Sequence, residues 1–350
     1  MRIPVSVVVP VRNAERWLDL CMGSLLQQSL REFEVIAVDD GSTDSSFDVL
    51  NKYSRQDSRV RVVRQATLGL VAALNRGVSE AQGPFIARLD ADDQALPIRL
   101  EAQLQYLLRN PTVGLVGTWA QEIDENGRPL GRRTPETDPG KLAGVLGMAN
   151  PFVHSSVMMR REVLGRVGCY RAAFEGAEDY DLWLRIAEVA QVSNLAEVLV
   201  FYRMHKASVS ERAAIRQAFS IRLAQCSASG RRMTGTDPAD QLTVPPDWHS
   251  STDDPSFFAD WAALYRAIDW KAAHPRQDAR GANVAMLAAR IETLNHAERI
   301  LAARAIADHA RHGGWKSSPQ FVGMLFQALR QRPGMAFRIL SELGKKQPLQ

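Results

Sequence analysis

Residues 5–40, VSVVVPVRNAERWLDLCMGSLLQQSLREFEVIAVDD, contain two apolar runs separated by a stretch of different periodicity. The run at 5–9 is almost entirely β-branched and apolar, which suits a strand buried on both faces of a parallel sheet. Residues 14–29 place apolar side chains at helical spacing, and residues 32–40 return to a strand pattern that ends in two carboxylates. The stretch therefore predicts a strand, a helix and a second strand.

The same alternation of strand and helix patterns continues along the chain. Further helices are predicted at 45–55, 70–81 and 97–110, and further strands at 60–65, 85–90 and 113–120. Strands that alternate with helices of this length predict an α/β protein with a doubly wound, mostly parallel sheet. In such sheets ligands bind at the carboxyl ends of the strands.

The pattern becomes less regular after residue 120. An Asn-Gly pair between polar strands predicts a hairpin at the edge of the sheet, and a helix at 178–190 precedes a last strand at 196–205. The sequence that follows this strand is rich in Ala, Arg and Leu, which predicts a C-terminal α-helical region. A Pro-, Asp-, Ser- and Thr-rich segment around 230–256 predicts a loop or linker. The predicted domains are therefore 1–212 and 213–350.

Composition restricts the class of protein. The chain has 350 residues, 45% of them apolar and 23% charged, and a net charge of +4 without a long block of one sign. This balance predicts a globular protein without a nucleic-acid-binding arm. Cys21, Cys169 and Cys226 form no CxxC pair, so reduced thiols are expected. Because no apolar run reaches about 18 residues, we expect a cytoplasmic protein, with peripheral membrane contact left open.

Four polar clusters follow predicted strands or begin a predicted helix, at 10–15, 39–44, 90–93 and 176–181. Each cluster alone is better explained by a turn, a helix cap or acids that complement a helix dipole. An EF-hand reading of the third cluster fails because Ala95 occupies the position that requires glycine. The chain also lacks GxxxxGK[ST], GxGxxG and GxSxG motifs, which argues against P-loop, dinucleotide-binding and hydrolase sites.

Taken together, the clusters resemble the family 2 glycosyltransferases, which have the nucleotide-sugar-binding GT-A fold. The resemblance covers about residues 3–212. It rests on six blocks in the family's order and spacing: VSVVVPVRNAERWL, FEVIAVDDGSTD, GLVAALNRGVSEAQGPFIARLDADD, HSSVMMRREVL, EDYDLWLR and FYRMHKASVS. Six matched blocks are far more specific than any one of them.

The resemblance implies how the donor is held. The first strand-end loop would line the base and ribose pocket, and Asp39 would accept a hydrogen bond from uracil or its equivalent, since carboxylates accept from base N–H groups. In the family's DxD motif, the first acid reaches toward the ribose. The residues implied to bind the nucleotide sugar are Pro10, Val11, Asn13, Asp39, Asp90 and Ala91.

The resemblance also implies a metal and a base. The last acid of the DxD motif, Asp92, would bind Mg²⁺ or Mn²⁺, both of which suit oxygen ligands. His205 matches a third-ligand position in some members, although a solvated loop histidine is an equal alternative. Asp179 would be the base that takes the proton of the acceptor hydroxyl, with Glu178 beside it.

The roles of three further residues stay open at this point. His154 matches a family position whose role is either acceptor contact or structural hydrogen bonding. Asp93 either supports the metal ligands or caps the helix that Pro97 helps to begin. Arg88 is expected to project beside its strand rather than to act chemically.

The implied function is an inverting, metal-dependent transfer of a sugar, with UDP-sugars the favoured donors, to an acceptor hydroxyl on a glycan or lipid-linked acceptor. The family's commonest setting, assembly of surface polysaccharide, lipopolysaccharide or glycolipid, places the enzyme in the cytoplasm or at the inner face of the membrane. The C-terminal helices would make any membrane contact. The alternative is a non-catalytic nucleotide-sugar-binding or scaffolding protein. A sugar nucleotidyltransferase is disfavoured because VPVRNAERW lacks a glycine-rich loop.

Overall fold

A computed structural model of the chain describes residues 3–205, 211–246 and 258. The chain forms two compact units, Met1–Ser208 and Val209–Gln350. Strands and helices alternate along most of the first unit, which confirms the predicted α/β class.

Nine strands in the described part of the chain form one mixed sheet. They are β1 (Val5–Val11), β2 (Phe33–Asp40), β3 (Val60–Gln65), β4 (Phe85–Arg88), β5 (Gln94–Ala95), β6 (Val113–Ile123), β7 (Pro129–Arg133), β8 (Met158–Arg160) and β9 (Gln191–Arg203). The order is β3-β2-β1-β4-β8-β6-β9-β5, and β7 pairs with β6. Pairing is parallel from β3 to β4 and between β6 and β9, whereas β8 is antiparallel to both of its neighbours.

Strand β1 lies inside this sheet, and all seven of its residues are buried. The β-branched side chains suit this position because both faces of the strand are covered. Parallel pairing sets Val11 opposite Asp39 and Val8 opposite Arg88. The polar residues that end these strands therefore lie along one edge of the sheet.

The helices of the first unit cover the sheet. Helix α1 buries Leu18, Cys21, Met22 and Leu25 completely, which confirms the predicted helical spacing. Single turns of 3₁₀ helix lie at His154–Ser156 and Ala172–Phe174. The α-helices are α1 (Glu15–Leu26), α2 (Ser46–Gln56), α3 (Leu70–Glu80), α4 (Arg99–Arg109), α5 (Pro139–Leu146), α6 (Arg161–Val167) and α7 (Glu178–Ala187).

The predicted hairpin joins β6 to β7. Gly127 has a φ of 83°, a left-handed conformation that glycine adopts without steric cost. The carboxylate of Asp124 accepts hydrogen bonds from the backbone N–H groups of Asn126 and Arg128, both at 2.8 Å. The Asn-Gly signal is therefore confirmed.

The two-residue strand β5 was not predicted. It follows the acidic loop directly and pairs with β9, where Gln94 lies opposite Phe201 and Ala95 opposite Val200. Two residues are too few to show a strand period. This pairing ties the acidic loop to the end of β9, close to His205.

The second unit contains helix α8 (Glu211–Thr234) among its described residues. This helix continues into the predicted linker at 230–256, so residues 230–234 are helical rather than irregular. Gly235 follows with a φ of 75°. The helices predicted further along the chain, and the rest of the linker beyond residue 246, lie outside the described residues except for Phe258. Among the helices that the structure describes, none combines the length and apolarity that a membrane span requires.

Candidate active site

Three carboxylates gather in the loop that follows β4. Oxygen atoms of Asp90, Asp92 and Asp93 lie within 4.8 Å of one another. Asp93 is almost fully buried, and Ala91 is buried between the acids. Burial, and then the charge of Asp90, raises the pKa of Asp92 and of Asp93 above the ordinary range. The loop therefore holds negative charges close enough to repel one another.

Arg88 binds the first of these acids. Its guanidinium, 3% exposed, forms a two-point ion pair with both carboxylate oxygens of Asp90. Ser155 adds to the pair, because its hydroxyl accepts from Arg88 at 2.9 Å and donates to Asp90 at 3.0 Å. The expectation that Arg88 merely projects beside its strand is wrong. A buried cation at this position neutralises Asp90 and fixes its orientation.

Asp93 connects the loop to β9. Its Oδ1 accepts the backbone N–H of Arg203 at 2.7 Å, and the guanidinium of Arg203 donates to the carbonyl of Asp92 at 2.8 Å. Helix α4 begins only at Arg99, with Ile98 preceding it. Asp93 is therefore not a helix cap. Its bond to the Arg203 backbone holds the acidic loop against the end of β9.

His205 meets the same loop from the end of β9. Its Nε2 lies 3.0 Å from Oδ2 of Asp92, and the ring stacks on Trp17 with 5.0 Å between ring centroids. The side chain is 18% exposed. His205 is thus partly buried against an acid and an aromatic ring, rather than solvated in a loop.

The residues expected to line a base pocket lie at the ends of β1 and β2. Pro10 and Val11 are buried, and the carbonyl oxygen of the Asn13 side chain accepts the Thr43 N–H at 2.8 Å. Asn13 has a φ of 51°, a left-handed conformation that asparagine tolerates better than most residues. Two neighbouring loops are therefore joined directly through the Asn13 side chain.

Asp39, near the end of β2, is completely buried. Its Oδ1 accepts the Ser42 N–H at 3.3 Å. Its Oδ2 lies 3.3 Å from Nε of Arg64 but outside hydrogen-bond geometry, so no donor in the described residues satisfies this oxygen. A buried acceptor without a donor is costly unless a ligand supplies one.

The next acid, Asp40, has a structural role that sequence reasoning missed. Its carboxylate accepts the N–H groups of Leu68 and Gly69 at 2.8 and 2.9 Å, and the side-chain amide of Gln65 at 2.8 Å. These bonds fix the loop before α3 to the end of β2. The sequence does contain a signal for this role. Asp40 is the second acid of VDDGSTD, next to the expected nucleotide ligand Asp39, and the family resemblance gives it no role of its own.

The first turn of α7 carries the other expected acids. Oδ1 of Asp179 accepts the Tyr180 N–H at 2.6 Å, and Oδ2 accepts the side-chain amide of Asn150 at 2.8 Å. Glu178 accepts the Gly176 N–H at 2.8 Å. Burial and then the charge of Asp179 raise the pKa of Glu178 to about 7, and burial raises the pKa of Asp179 as well. Carboxylates of raised pKa are suited to accept protons near neutral pH.

One guanidinium connects the two acidic groups. The positive charge of Arg88 acts on Asp90 and, at longer range, on Glu178 and Asp179, whose pKa values it lowers against the effect of burial. The charge of Arg88 therefore acts both on the acids after β4 and on those at the start of α7. Buried Asp181, held by Arg171 and Arg185, fixes the first turns of α7 to the preceding loop.

One aromatic wall consists of His154, Tyr170 and Trp183. Nε2 of His154 lies 3.1 Å from the hydroxyl of Tyr170, and both rings contact Trp183 edge-on. Burial, and then the charge of Arg88, lowers the pKa of His154 well below its ordinary value. His154 is thus neutral at physiological pH, and the structure gives it a hydrogen-bonding role in this wall.

Comparison with known proteins relates this site to enzymes. The family model described as "Glycosyl transferase family 2" matches residues 6–168. The O-antigen biosynthesis glycosyltransferase WbnJ of Escherichia coli is 33% identical over 215 residues, which is 60% of this chain and 83% of that protein. The amylovoran biosynthesis glycosyltransferase AmsE of Erwinia amylovora is 34% identical over 211 residues, which is 59% of this chain and 79% of that protein.

Two solved structures share the fold. The mannosyltransferase PcManGT of Pyrobaculum calidifontis, in complex with GDP-Man and Mn²⁺, has a TM-score of 0.52 at 20% identity and covers 95% of this chain and 88% of that one. TarS 1-349 of S. aureus, in complex with UDP, has a TM-score of 0.51 at 16% identity and covers 97% and 89%. At these identities the similarity is one of fold alone.

Proposed function

We propose, from the premise that this chain belongs to glycosyl transferase family 2, that it transfers a sugar from a nucleoside-diphosphate sugar to an acceptor hydroxyl with inversion and with a divalent metal. The chain has the GT-A fold and is a glycosyltransferase, as the sequence predicted. The donor, the metal and the stereochemistry are the proposed parts.

The observation that carries this proposal is that Arg88, which pairs with Asp90, also acts electrostatically on the acids at the start of α7. Arg88 forms an ion pair with Asp90, and its charge also lowers the pKa values of Glu178 and Asp179. A transferase that inverts its substrate needs a charge-stabilising group on the leaving side and a base on the opposite side. The site offers a group of each kind.

The acidic loop fits a divalent cation. Its carboxylate oxygens lie within 4.8 Å of one another, and the pKa values of Asp92 and Asp93 are raised, which a positive charge would reverse. Oxygen donors of this type suit Mg²⁺ or Mn²⁺. Asp92 and His205 would hold the ion. When bound, it would supply Lewis-acid stabilisation of the departing nucleoside diphosphate.

The base pocket supports a nucleotide with an N–H group on its edge. Oδ2 of Asp39 is a buried acceptor without a donor in the described residues, and uracil offers an N–H of the matching kind. Pro10, Val11 and Asn13 would line the pocket, while Asp90 and Ala91 would face the ribose. UDP-sugars are therefore the favoured donors, although Asp90 would have to share its oxygens with Arg88 and Ser155.

Asp179 is proposed as the base and Glu178 as its partner in the catalytic pair. The carboxylate of Asp179 is held by two N–H donors and retains lone pairs that can accept the proton of an acceptor hydroxyl. Burial disfavours its charged form, so a proton transferred to it is stabilised.

The acceptor is proposed to be a glycan or a lipid-linked sugar in polysaccharide assembly. This follows the names of the relatives, which refer to O-antigen and amylovoran biosynthesis. We place the reaction in the cytoplasm or at the inner face of the membrane, where such acceptors would be extended, with the C-terminal region that the sequence predicts to be helical as the part that would contact it.

The donor is tested by the melting temperature of the full chain with UDP-glucose, UDP-galactose, UDP-N-acetylglucosamine and GDP-mannose, each with and without Mn²⁺. We expect one UDP-sugar to raise the melting temperature only when Mn²⁺ is present, because the phosphates and the ion bind together. A ligand at 100 times its Kd stabilises by about 2.7 kcal/mol, which is readily measured. UMP and free UDP serve as controls for the second phosphate and for the sugar. A flat response to all four sugars would favour the scaffolding alternative.

A further inference from the structure

Asn150 lies in the segment between α5 and the 3₁₀ turn at His154–Ser156 and reaches the start of α7. Its side-chain Nδ2 donates to Oδ2 of Asp179 at 2.8 Å. Its Oδ1 accepts the backbone N–H of Phe152 at 3.1 Å, which closes a short turn. Because the carbonyl oxygen is occupied by an N–H donor, the amide can only present its N–H₂ group to the carboxylate. The orientation of this amide is therefore determined by its two partners.

The charged groups around Asp179 come from three elements. Glu178 precedes it on α7, Arg88 approaches from β4, and the Tyr170 hydroxyl belongs to the loop before Ala172–Phe174. His154, beside Tyr170, is neutral at physiological pH. Burial raises the pKa of Asp179, whereas the Tyr180 N–H, the Asn150 amide and Arg88 each lower it. Of these, Asn150 is the side chain that touches the carboxylate directly.

We propose that Asn150 is a positioning residue for Asp179: its amide holds Oδ2 in place and favours the ionised carboxylate that can accept a proton. The inference rests on the proposed function, in which Asp179 is the base. A neutral donor suits this task. A lysine or arginine in contact would hold the carboxylate ionised too strongly for it to accept a proton, and an apolar residue would leave it protonated in its buried surroundings.

The Asn150→Ser variant separates this role from a structural one. Serine can accept the Phe152 N–H and keep the turn, as asparagine does, but its shorter side chain loses the reach to Asp179. Asn150→Thr has the same properties and serves as a second variant if the first does not purify. Asn194→Ala is the matched control, since Asn194 holds the carbonyl oxygens of Pro151 and Glu136 at 3.0 Å and so anchors the same segment from another side.

The first readout needs no substrate. The folded pKa of Asp179 is raised above its unfolded value, so its protonated form stabilises the protein at low pH and this stabilisation is lost as pH rises through the folded pKa. Without the Asn150 donor, the pKa of Asp179 in the folded protein is higher still. More stability is therefore lost as the pH rises. We expect the melting-temperature gap between wild type and Asn150→Ser to widen between about pH 4 and pH 8. The widening should be about 3–5 °C for each unit of pKa change in a unit of this size.

The same comparison in an Asp179→Asn background shows whether Asp179 is the cause. There the gap should be independent of pH, and Asn194→Ala should give a gap that does not vary with pH in either background. A pH-independent gap for Asn150→Ser and Asn150→Thr with Asp179 present would overturn the inference.

A second readout uses turnover of the UDP-sugar that the melting screen identifies. The acidic limb of the pH profile of kcat should move to higher pH in Asn150→Ser and stay in place in Asn194→Ala. An unmoved limb in Asn150→Ser, in an enzyme that Asp179→Asn inactivates, would refute the role of Asn150 while leaving the proposed function intact. Full activity of Asp179→Asn would instead refute the assignment of the base.

Discussion

Replacing Asp179 by asparagine should reduce kcat by roughly 10²–10⁴-fold, the usual contribution of a general base, and leave the affinity for the donor unchanged. An amide cannot accept the proton of the acceptor hydroxyl. The variant should fold, because the new side-chain oxygen can still accept the Tyr180 N–H or the Asn150 amide. Donor affinity is measured by calorimetric titration of the UDP-sugar in Mn²⁺, and kcat by release of UDP in the presence of acceptor.

Two further variants make the test specific. Glu188→Gln changes an acid at the other end of α7, outside the proposed site, and should retain wild-type turnover. Glu178→Gln removes the carboxylate whose pKa is raised to about 7 and should cost less than Asp179→Asn if Asp179 is the base. Near-normal turnover by Asp179→Asn would contradict the assignment, and a larger loss in Glu178→Gln would transfer the role to Glu178.

Replacing Asp92 by asparagine should abolish the dependence of donor binding on Mn²⁺ and lower kcat by about a thousandfold. The neutral side chain no longer supplies a charged oxygen ligand. Metal catalysis lowers the barrier by several kcal/mol, and each 1.4 kcal/mol of barrier corresponds to about a tenfold change in rate. The substitution also weakens the contact between Oδ2 of Asp92 and His205. Donor affinity at a series of Mn²⁺ concentrations measures the effect.

The matched control for Asp92 is Asp57→Asn, which removes an acid that pairs with Arg59 away from the acidic loop. This variant should keep the wild-type response to Mn²⁺. If Asp92→Asn bound the donor with the same Mn²⁺ dependence as wild type, the ion would have to lie elsewhere, and the proposed use of the DxD motif would fail.

The parts of the fold with a clear period could be predicted from the sequence. The β-branched run at the start of the chain predicts the complete burial of β1, and four apolar residues at helical spacing predict α1. The hairpin before β7 follows from Asn126-Gly127, whose turn conformation glycine favours. In each case a local physical preference determines the local structure.

The contacts that organise the site could not be predicted in this way. Arg88 and Asp90 both hydrogen-bond to Ser155 of a distant segment, and β5 brings His205 to Asp92 by pairing with a strand more than a hundred residues later. Asn150 touches Asp179 only because α5 and α7 pack together. These contacts depend on tertiary structure, and no spacing within one segment encodes them.

Family resemblance, rather than periodicity, pointed to the acids. A pattern such as LDADD is equally typical of a turn, and the raised pKa values of Asp92 and Asp93 appear only once burial and the charge of Asp90 are known. Whether Asp93 caps a helix or supports the acidic loop likewise becomes clear only from the position of Arg203, which donates its backbone N–H to Asp93.

The most direct test of the central claim is anomalous diffraction from a crystal of the full chain grown with UDP and Mn²⁺, measured at the manganese absorption edge. The proposed site predicts a single strong peak at bonding distance from the Asp92 carboxylate and Nε2 of His205, between the ion's phosphate ligands and the acidic loop. It also predicts a uracil N–H donated to Oδ2 of Asp39. UDP bound with no manganese peak at Asp92, or with its base away from Asp39, would contradict it.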